Sequence, residues 1–383
     1  MSRMKKFIPY GHQWVDKKDI QEVVKVLKTD WITQGPKVEE FEEKVAKFCG
    51  AKYGIAVSSG TAALQIAYGA AGIGHGDEVI TSPLTFAATA NCLVFNGAKP
   101  VFADIEEDTL NINPEEIEKK ISKKTKAIAP VDFAGQPCDY EKIFKTAKKY
   151  KLLIIEDGAH ALGSEYKGRK VGSFADLTIL SFHPVKTITT GEGGMVLTNR
   201  KDFYEKLKVL RNHGIVKKPA KGGWYYEIEN PSFNFRLTDI QCALGLSQLK
   251  KLNSFIKRRR KIVAKYNQAF RKVKEIITPT EKNYVKSAWH IYPIQLRLER
   301  LRVNRRKIFE FLRLENLGVQ VHYMPIHLHP FYKKKFGYKR GDFPKAENYY
   351  KRAITLPLFP KMTEKDIEYV IKTVEKIISY YKK

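Results

Sequence analysis

The stretch LTILSFHPVKTITTGEGG, residues 177–194, starts as a short apolar run, breaks at Pro184 and delivers Lys186 into a turn of Thr and Gly. An unbroken apolar run of this length, bounded by turn residues, reads as a strand buried on both faces. The pattern recurs between Tyr53 and Asn199 in GIAVSSG, DEVITSP, KPVFADI, KAIAPVD, LLIIEDG and GMVLTN. Between the earlier runs lie helical patterns: TAALQIAYGAAGI, FAATANCLVFNGA, NPEEIEKKISK and DYEKIFKTAKKY. Strands that alternate with helices predict an α/β fold with a mainly parallel, helix-covered sheet.

The segment RLTDIQCALGLSQLKKLNSFIKRRRKIVAKYNQAF carries a helical period with Thr238 or Asp239 as its cap, then turns strongly basic. Past Lys250 the pattern is mixed. YPIQLRLE and VQVHYMPI read as strands, RRKIFEFLRLENLG and EKDIEYVIKTVEKIISYYKK as helices. The expected organisation is a large domain, residues 1–250, followed by a smaller C-terminal α+β domain, residues 251–383.

Composition narrows the classes. Of the 383 residues 43% are hydrophobic, enough for a sizeable core. No run approaches the ~20 apolar residues of a membrane helix, and the charged start with its short apolar patch does not read as a signal peptide. A cytoplasmic protein without a membrane partner is expected. The 4 cysteines form no C-x-x-C pair, which argues against a zinc site or a disulfide framework and for buried free thiols. The formal charge of +28 raises nucleic acid as a partner. The lysines, however, lie mostly in helical patterns with acids interspersed, and no basic motif interleaved with aromatics is present, so no nucleic-acid partner is expected. His322, His327 and His329 are the one candidate metal set; no nearby acid or Cys completes it, and no metal is expected.

In an open parallel sheet ligands bind beyond the carboxyl ends of the strands, so the residues that follow the strands carry the chemistry. Ser58, Ser59, Gly60 and Thr61 follow the first strand and open a helix, either as a plain cap or as a phosphate site. Neither a P-loop nor a dinucleotide fingerprint is present. Asp157 follows LLIIE, where a carboxylate needs a donor or cation to stay charged, although a turn-capping Asp fits the pattern equally. His160 comes three residues later. Ser181 and Lys186 follow the next strand, and a partly desolvated amine there can form a Schiff base. A phosphate cradle, a buried acid and a strand-end lysine are together what pyridoxal phosphate requires.

These residues stand in longer motifs: SSGTAALQIA, SPLTFAATAN, EDGAHALGSEYKG, SFHPVKTITTGEGG, RNHG and NFRLTDIQCALGLSQL. In that order, over nearly the whole chain, they resemble the DegT/DnrJ/EryC1/StrS family of nucleotide-sugar aminotransferases. The resemblance implies a fold-type-I pyridoxal-phosphate enzyme with Lys186, Asp157 and His160 as its catalytic residues. Lys186 then carries the cofactor, Asp157 pairs with the pyridinium nitrogen, Phe86 stacks on one face of the ring and His160 lies near the other. Gly60, Thr61 and Ser181 hold the phosphate, joined by Asn234 from the neighbouring subunit of a homodimer. Tyr10, Asp30, Trp31, Ile32, Thr33 and Ser59 line the sugar-nucleotide site, together with the strand Val321, His322, Tyr323 and Met324; Ser181 and Asn234 also face it.

The start FIPYG, the segment DWITQGPKVEEFE, His160 in DGAHALGSEY and VHYMPIHLHPFYKKKFGY together resemble the branch that serves pseudaminic acid biosynthesis. That implies amination of a UDP-linked 4-keto-6-deoxy-N-acetylhexosamine with L-glutamate as donor. The rival within the family is an aminotransferase for another keto sugar on UDP, dTDP or GDP. A sister dehydratase is disfavoured because it lacks the lysine. Two departures limit what the resemblance carries: many members have Gln where His160 stands, and Trp31 and Met324 sit in the expected substrate lining.

Overall fold

The computed structural model describes residues 7–383. In chain order its first strands are β1 (Ile8–Pro9), β2 (Tyr53–Val57), β3 (Glu78–Thr81), β4 (Lys99–Phe102), β5 (Thr125–Ala129), β6 (Leu153–Asp157), β7 (Glu165–Tyr166), β8 (Arg169–Lys170), β9 (Leu177–Ser181) and β10 (Gly194–Thr198). Seven of them form the central sheet in the order β2-β10-β9-β6-β5-β3-β4. Only β10 runs antiparallel to its neighbours. The expected mainly parallel α/β layer is present.

Alternation along each strand shows why the runs are apolar throughout. Ile55, Val57, Ile179 and Val196 face the helices Gly60–Ala70, Ala87–Phe95 and Lys201–Arg211. Ala56, Leu180, Met195 and Leu197 face Pro36–Cys49 and Asp239–Leu249 on the other side. A strand covered on both faces has no solvent side on which to place a polar residue. β6 and β9 are parallel neighbours, so Asp157 and Ser181 emerge at the same rim. β10 then returns beside β2 and places Gly194 against the turn that follows Val57.

That glycine is required by packing. A Cβ at Gly194 would stand 2.3 Å from the Ser59 carbonyl oxygen and 2.7 Å from the Gly60 nitrogen. Both obstacles are backbone and neither can rotate away. Gly194→Ala is expected to destabilise the protein by about 3 kcal/mol or more, seen as a lower urea midpoint at unchanged slope.

The remaining strands are the hairpin β11 (Ile215–Lys217) and β12 (Tyr226–Ile228), then β13 (Ile276–Ile277), β14 (Val285–Lys286), β15 (Tyr292–Leu296), β16 (Leu317–Gly318) and β17 (Ala353–Leu356). The sheet β13-β15-β17 shares a separate core with the helices Leu252–Phe270, Arg305–Leu314 and Glu364–Tyr381. The start of the chain joins this second core: β1 pairs in parallel with β16 and Ile8 is buried there. Thr238 caps Asp239–Leu249 with a reciprocal capping box closed by Gln241, and the helical period read as one element breaks at Lys250–Lys251 before Leu252.

The expected strand over Val321–Met324 is not formed. Gln320 exchanges both backbone bonds with Thr355, after which the chain leaves the sheet. Pro325 has no N–H to continue a ladder, and the Ile326 N–H is taken by the carbonyl of Pro83, just past β3. The segment reaches the central rim as an irregular loop.

Candidate active site

At the carboxyl rim lies a cavity of about 690 Å³. Its floor is built by three strand ends. After β2, the helix Gly60–Ala70 begins with Ser59 as cap; the Ser59 hydroxyl takes the Ala62 N–H and its carbonyl the Ala63 N–H. The amides of Gly60 and Thr61 are left without an acceptor among the described residues, aimed as a helix N-terminus aims them at an anion. A Cβ at Gly60 would come within 3.0 Å of the Ser181 Cβ, so the cradle is closed by the β9 end.

Asp157 ends β6 and is buried. Its Oδ2 accepts a hydrogen bond from the Thr89 hydroxyl at 2.7 Å and its Oδ1 one from the Ala159 N–H at 3.2 Å. Burial pushes the carboxyl up; Thr89, Ala159 and the charge of Lys186 pull it back. No Lys or Arg forms an ion pair with it among the described residues. A buried carboxylate held by two neutral donors has a place for a cation.

Lys186 keeps part of its surface open to the cavity, while desolvation pulls its amine down to about 8 against the opposing charge of Asp157. An amine with that value is half neutral at about pH 8 and there able to act as nucleophile and base. The rate at which the cofactor-free protein develops a visible absorbance band with added pyridoxal phosphate is therefore expected to rise with pH through a midpoint near 8. Stopped-flow absorbance across the range checks it, and a midpoint at an ordinary lysine value would contradict the desolvation argument.

His160 is buried beside them. The Ala134 N–H donates to its Nδ1 at 3.3 Å, which places the ring proton on Nε2, 3.2 Å from the Tyr323 hydroxyl. Burial and the charge of Lys186 hold the imidazole well below its ordinary value, so it stays neutral. His322, pushed down to about 4 by burial, meets the Thr355 hydroxyl through Nδ1 and the Tyr10 ring at 5.3 Å.

The cavity thus brings together Ser59, Gly60, Thr61, Asp157, His160, Ser181 and Lys186 at its floor, with Tyr10, Phe86, Val321, His322 and Tyr323 around it. Phe86 is half open at the mouth, its ring 5.9 Å from that of Tyr323. Other expected residues lie elsewhere. Met324 is half-buried outside the lining. Asp30, Trp31, Ile32 and Thr33 form an exposed loop outside the lining, tied to Thr238 and Asp239; Gln241, on the same helix, donates to the carbonyl of the cavity residue Glu192. Asn234 is exposed and distinct from the lining; its side chain accepts the Arg236 N–H. His327 is buried against Glu347, and no group of three His, Cys, Asp or Glu among the described residues is placed to hold a metal.

Sequence reasoning missed Thr85, Thr89 and His290, which also line the cavity. Thr89 had a signal: three residues after Phe86 on a helix, it shares a face with that residue. No helix among the described residues is long and apolar enough to cross a membrane.

With this geometry established, comparison with known proteins is direct. The model of the DegT/DnrJ/EryC1/StrS aminotransferase family matches residues 13–375. The chain is 46% identical to the Bacillus subtilis spore coat polysaccharide biosynthesis protein SpsC, covering 97% of each chain. It is 44% identical to the UDP-4-amino-4,6-dideoxy-N-acetyl-β-L-altrosamine transaminase of Campylobacter jejuni, over 98% of this chain and 99% of that one. Among solved structures, Helicobacter pylori PseC, an aminotransferase involved in the biosynthesis of pseudoaminic acid, superposes with a TM-score of 0.92 at 36% identity, covering 98% of this chain and 100% of the other. The Streptococcus pneumoniae putative sugar aminotransferase Spr1654 in its PLP form gives 0.92 at 33%, covering 98% and 99%. The architecture is that of a fold-type-I aminotransferase, and the chain belongs to the DegT/DnrJ/EryC1/StrS aminotransferase family.

Proposed function

We propose that this sugar aminotransferase moves an amino group from L-glutamate to C4 of UDP-2-acetamido-2,6-dideoxy-β-L-arabino-hex-4-ulose. The products are 2-oxoglutarate and UDP-4-amino-4,6-dideoxy-N-acetyl-β-L-altrosamine, a step toward pseudaminic acid. The observation that carries the chemistry is one cavity holding a depressed amine, a buried carboxylate without a cation and an open helix N-terminus. These fit pyridoxal phosphate. When bound, that cofactor supplies an electron sink for the C–H bond being broken.

The chain's residues do the rest. Gly60, Thr61 and Ser181 would hold the phosphate end, joined by Asn234 of a neighbouring copy. Asp157 would stay anionic to pair with the ring nitrogen, and Phe86 and the neutral His160 would hold the ring. Lys186 takes the proton from Cα of the donor and later returns one to C4 of the sugar. Removing and returning a single proton suits a base whose value lies near the working pH.

The substrate assignment draws on the Campylobacter and Helicobacter relatives, whose names state that chemistry. A site shared by two copies is supported by where Asn234 lies: beside the exposed Phe233, near a hairpin carrying Trp224, Tyr226 and Ile228, all open to solvent. A second reading, another 4-keto nucleotide sugar, is favoured by the Bacillus relative, whose name places it in coat polysaccharide synthesis.

One titration tests both. Protein loaded with pyridoxal phosphate is mixed with glutamate, which should abolish its visible band; freshly made 4-keto nucleotide sugars are then added singly. Recovery with the β-L-arabino sugar alone supports the first reading, and recovery with a different sugar moves the assignment to the second.

A further inference from the structure

Arg259 sits in the basic run of the helix Leu252–Phe270, yet it is completely buried, on the same face as Phe255, Ile256, Ile262 and Tyr266. Its neighbours behave ordinarily: Arg258 pairs with Glu364 and Arg260 with Glu281. Arg259 has no carboxylate partner among the described residues. Its Nη1 donates to the carbonyls of Trp289 at 3.3 Å, His290 at 3.0 Å and Leu358 at 3.0 Å, while Nε and Nη2 are buried without a partner among those residues. Burial pulls the guanidinium down to about 10, so it remains charged at neutral pH. A buried cation without a counter-ion is costly, and an apolar side chain of similar volume would fill the space without that cost.

Its three acceptors lead to the cavity. Trp289, at φ 53°, and His290 share a peptide whose carbonyl faces Arg259 and whose N–H donates to the Ala134 carbonyl at 3.0 Å. A cation at one end of a peptide polarises it and strengthens the bond at the other. Ala134 in turn donates its own N–H to His160 Nδ1, and the His290 ring packs 4.4 Å from the His160 ring. The approach is tight: a Cβ at Gly135 would meet the Trp289 nitrogen at 3.0 Å and the His160 carbonyl oxygen at 3.1 Å. On the other branch, Leu358 donates its N–H to the Tyr10 carbonyl at 2.9 Å. His160, His290 and Tyr10 all line the cavity.

We propose that Arg259 is a positioning residue for the active site: its guanidinium draws the carbonyls of Trp289, His290 and Leu358 to one point, and so fixes the His160 ring, its tautomer and the placing of Tyr10. The role of the ring so fixed rests on the cofactor reading above. The clamp itself is a property of the chain alone.

The experiment compares the full-length wild type with Arg259→Lys and Arg259→Met. Circular dichroism reports folding, and ¹⁵N shifts of the His160 ring without cofactor report the tautomer. Pyridoxal-phosphate affinity and kcat report the site. The wild type should show a single Nε2–H form. Arg259→Met should fold, mix the two tautomers and lose about 10- to 100-fold in kcat, as a displaced positioning group does. Arg259→Lys, which keeps the charge without the fork, should fall between. A folded Met variant with wild-type shifts and kcat overturns the proposal. If Met does not fold, wild-type shifts and kcat in the Lys variant overturn it; failure of both variants to fold leaves Arg259 a core residue only, which overturns it as well. Wild type that develops no visible band with the cofactor would instead sink the functional reading, and the His160 shifts would still test the clamp.

Discussion

Lys186→Ala is expected to lower turnover by about 10⁴-fold or more while the protein stays folded and still takes up pyridoxal phosphate weakly. The lysine is asked to do two jobs, and the buried histidines and tyrosines beside it are equipped for neither. His160, His290 and His322 line the same space, but burial holds each below its ordinary value, and the charge of Lys186 adds to that depression. They are weak bases there. The tyrosines Tyr10 and Tyr323 are pushed up by burial and keep their protons. Uptake survives because the Gly60 and Thr61 amides and the Asp157 carboxylate do not depend on the amine for their places. Steady-state release of 2-oxoglutarate gives the rate, dichroism the fold and equilibrium dialysis the retained affinity. Turnover within tenfold of wild type would take the proton-transfer role away from Lys186.

What could be read in advance follows from where each residue sits along its element. Strand ends are visible in sequence, because an apolar run has to stop, and the residue after the stop stands at the rim; Asp157, Ser181 and Lys186 were found that way. Helix interiors hide their chemistry. Thr89 looks like one more small residue in FAATANCLV, and only the fold puts its hydroxyl against Asp157. Arg259 is harder still: five consecutive cations, KRRRK, give no sign of which one turns inward, and only the fold brings the carbonyls of Trp289 and Leu358 to its guanidinium. The Val321–Met324 segment looks apolar enough for a strand, but it meets the edge strand β17 only at the Gln320 rung before the chain turns away toward the rim. Local pattern does not record which edge of a sheet is free. The same limit applies to Asn234 and the Asp30–Thr33 loop, whose expected roles concern surfaces that the fold of one chain leaves exposed.

Asp157→Asn is the other substitution with a large expected effect, and its size can be argued from charge. An anion about 4 Å from the protonated ring nitrogen, at an effective dielectric near 20, is worth about 4 kcal/mol, or about 10³-fold in rate if that interaction supports the electron sink throughout. Asparagine preserves the shape and can still accept from Thr89 or Ala159, so the loss isolates charge from packing. Thr89→Val separates the next contribution. The Thr85 and Thr89 hydroxyls lie 2.8 Å apart, so Thr85 can donate to Thr89 while Thr89 donates to Asp157, and the pair orients the carboxylate without altering its charge. Deleting that bond to a charged acceptor costs about 1.5–3 kcal/mol at most, so Thr89→Val should lose roughly 10- to 100-fold, less than Asp157→Asn. The two variants should also differ with pH. Loss of Thr89 removes the largest influence lowering the Asp157 carboxyl, so burial dominates and its value rises further. The step that Asp157 adds to the acid limb, separate from the Lys186 step near 8, then moves to higher pH in Thr89→Val and is absent in Asp157→Asn, which keeps the Lys186 step alone. A full rate–pH profile for both variants reads this directly; a second step that persists unchanged in Asp157→Asn would assign it to another group and remove Asp157 from the ring-nitrogen role.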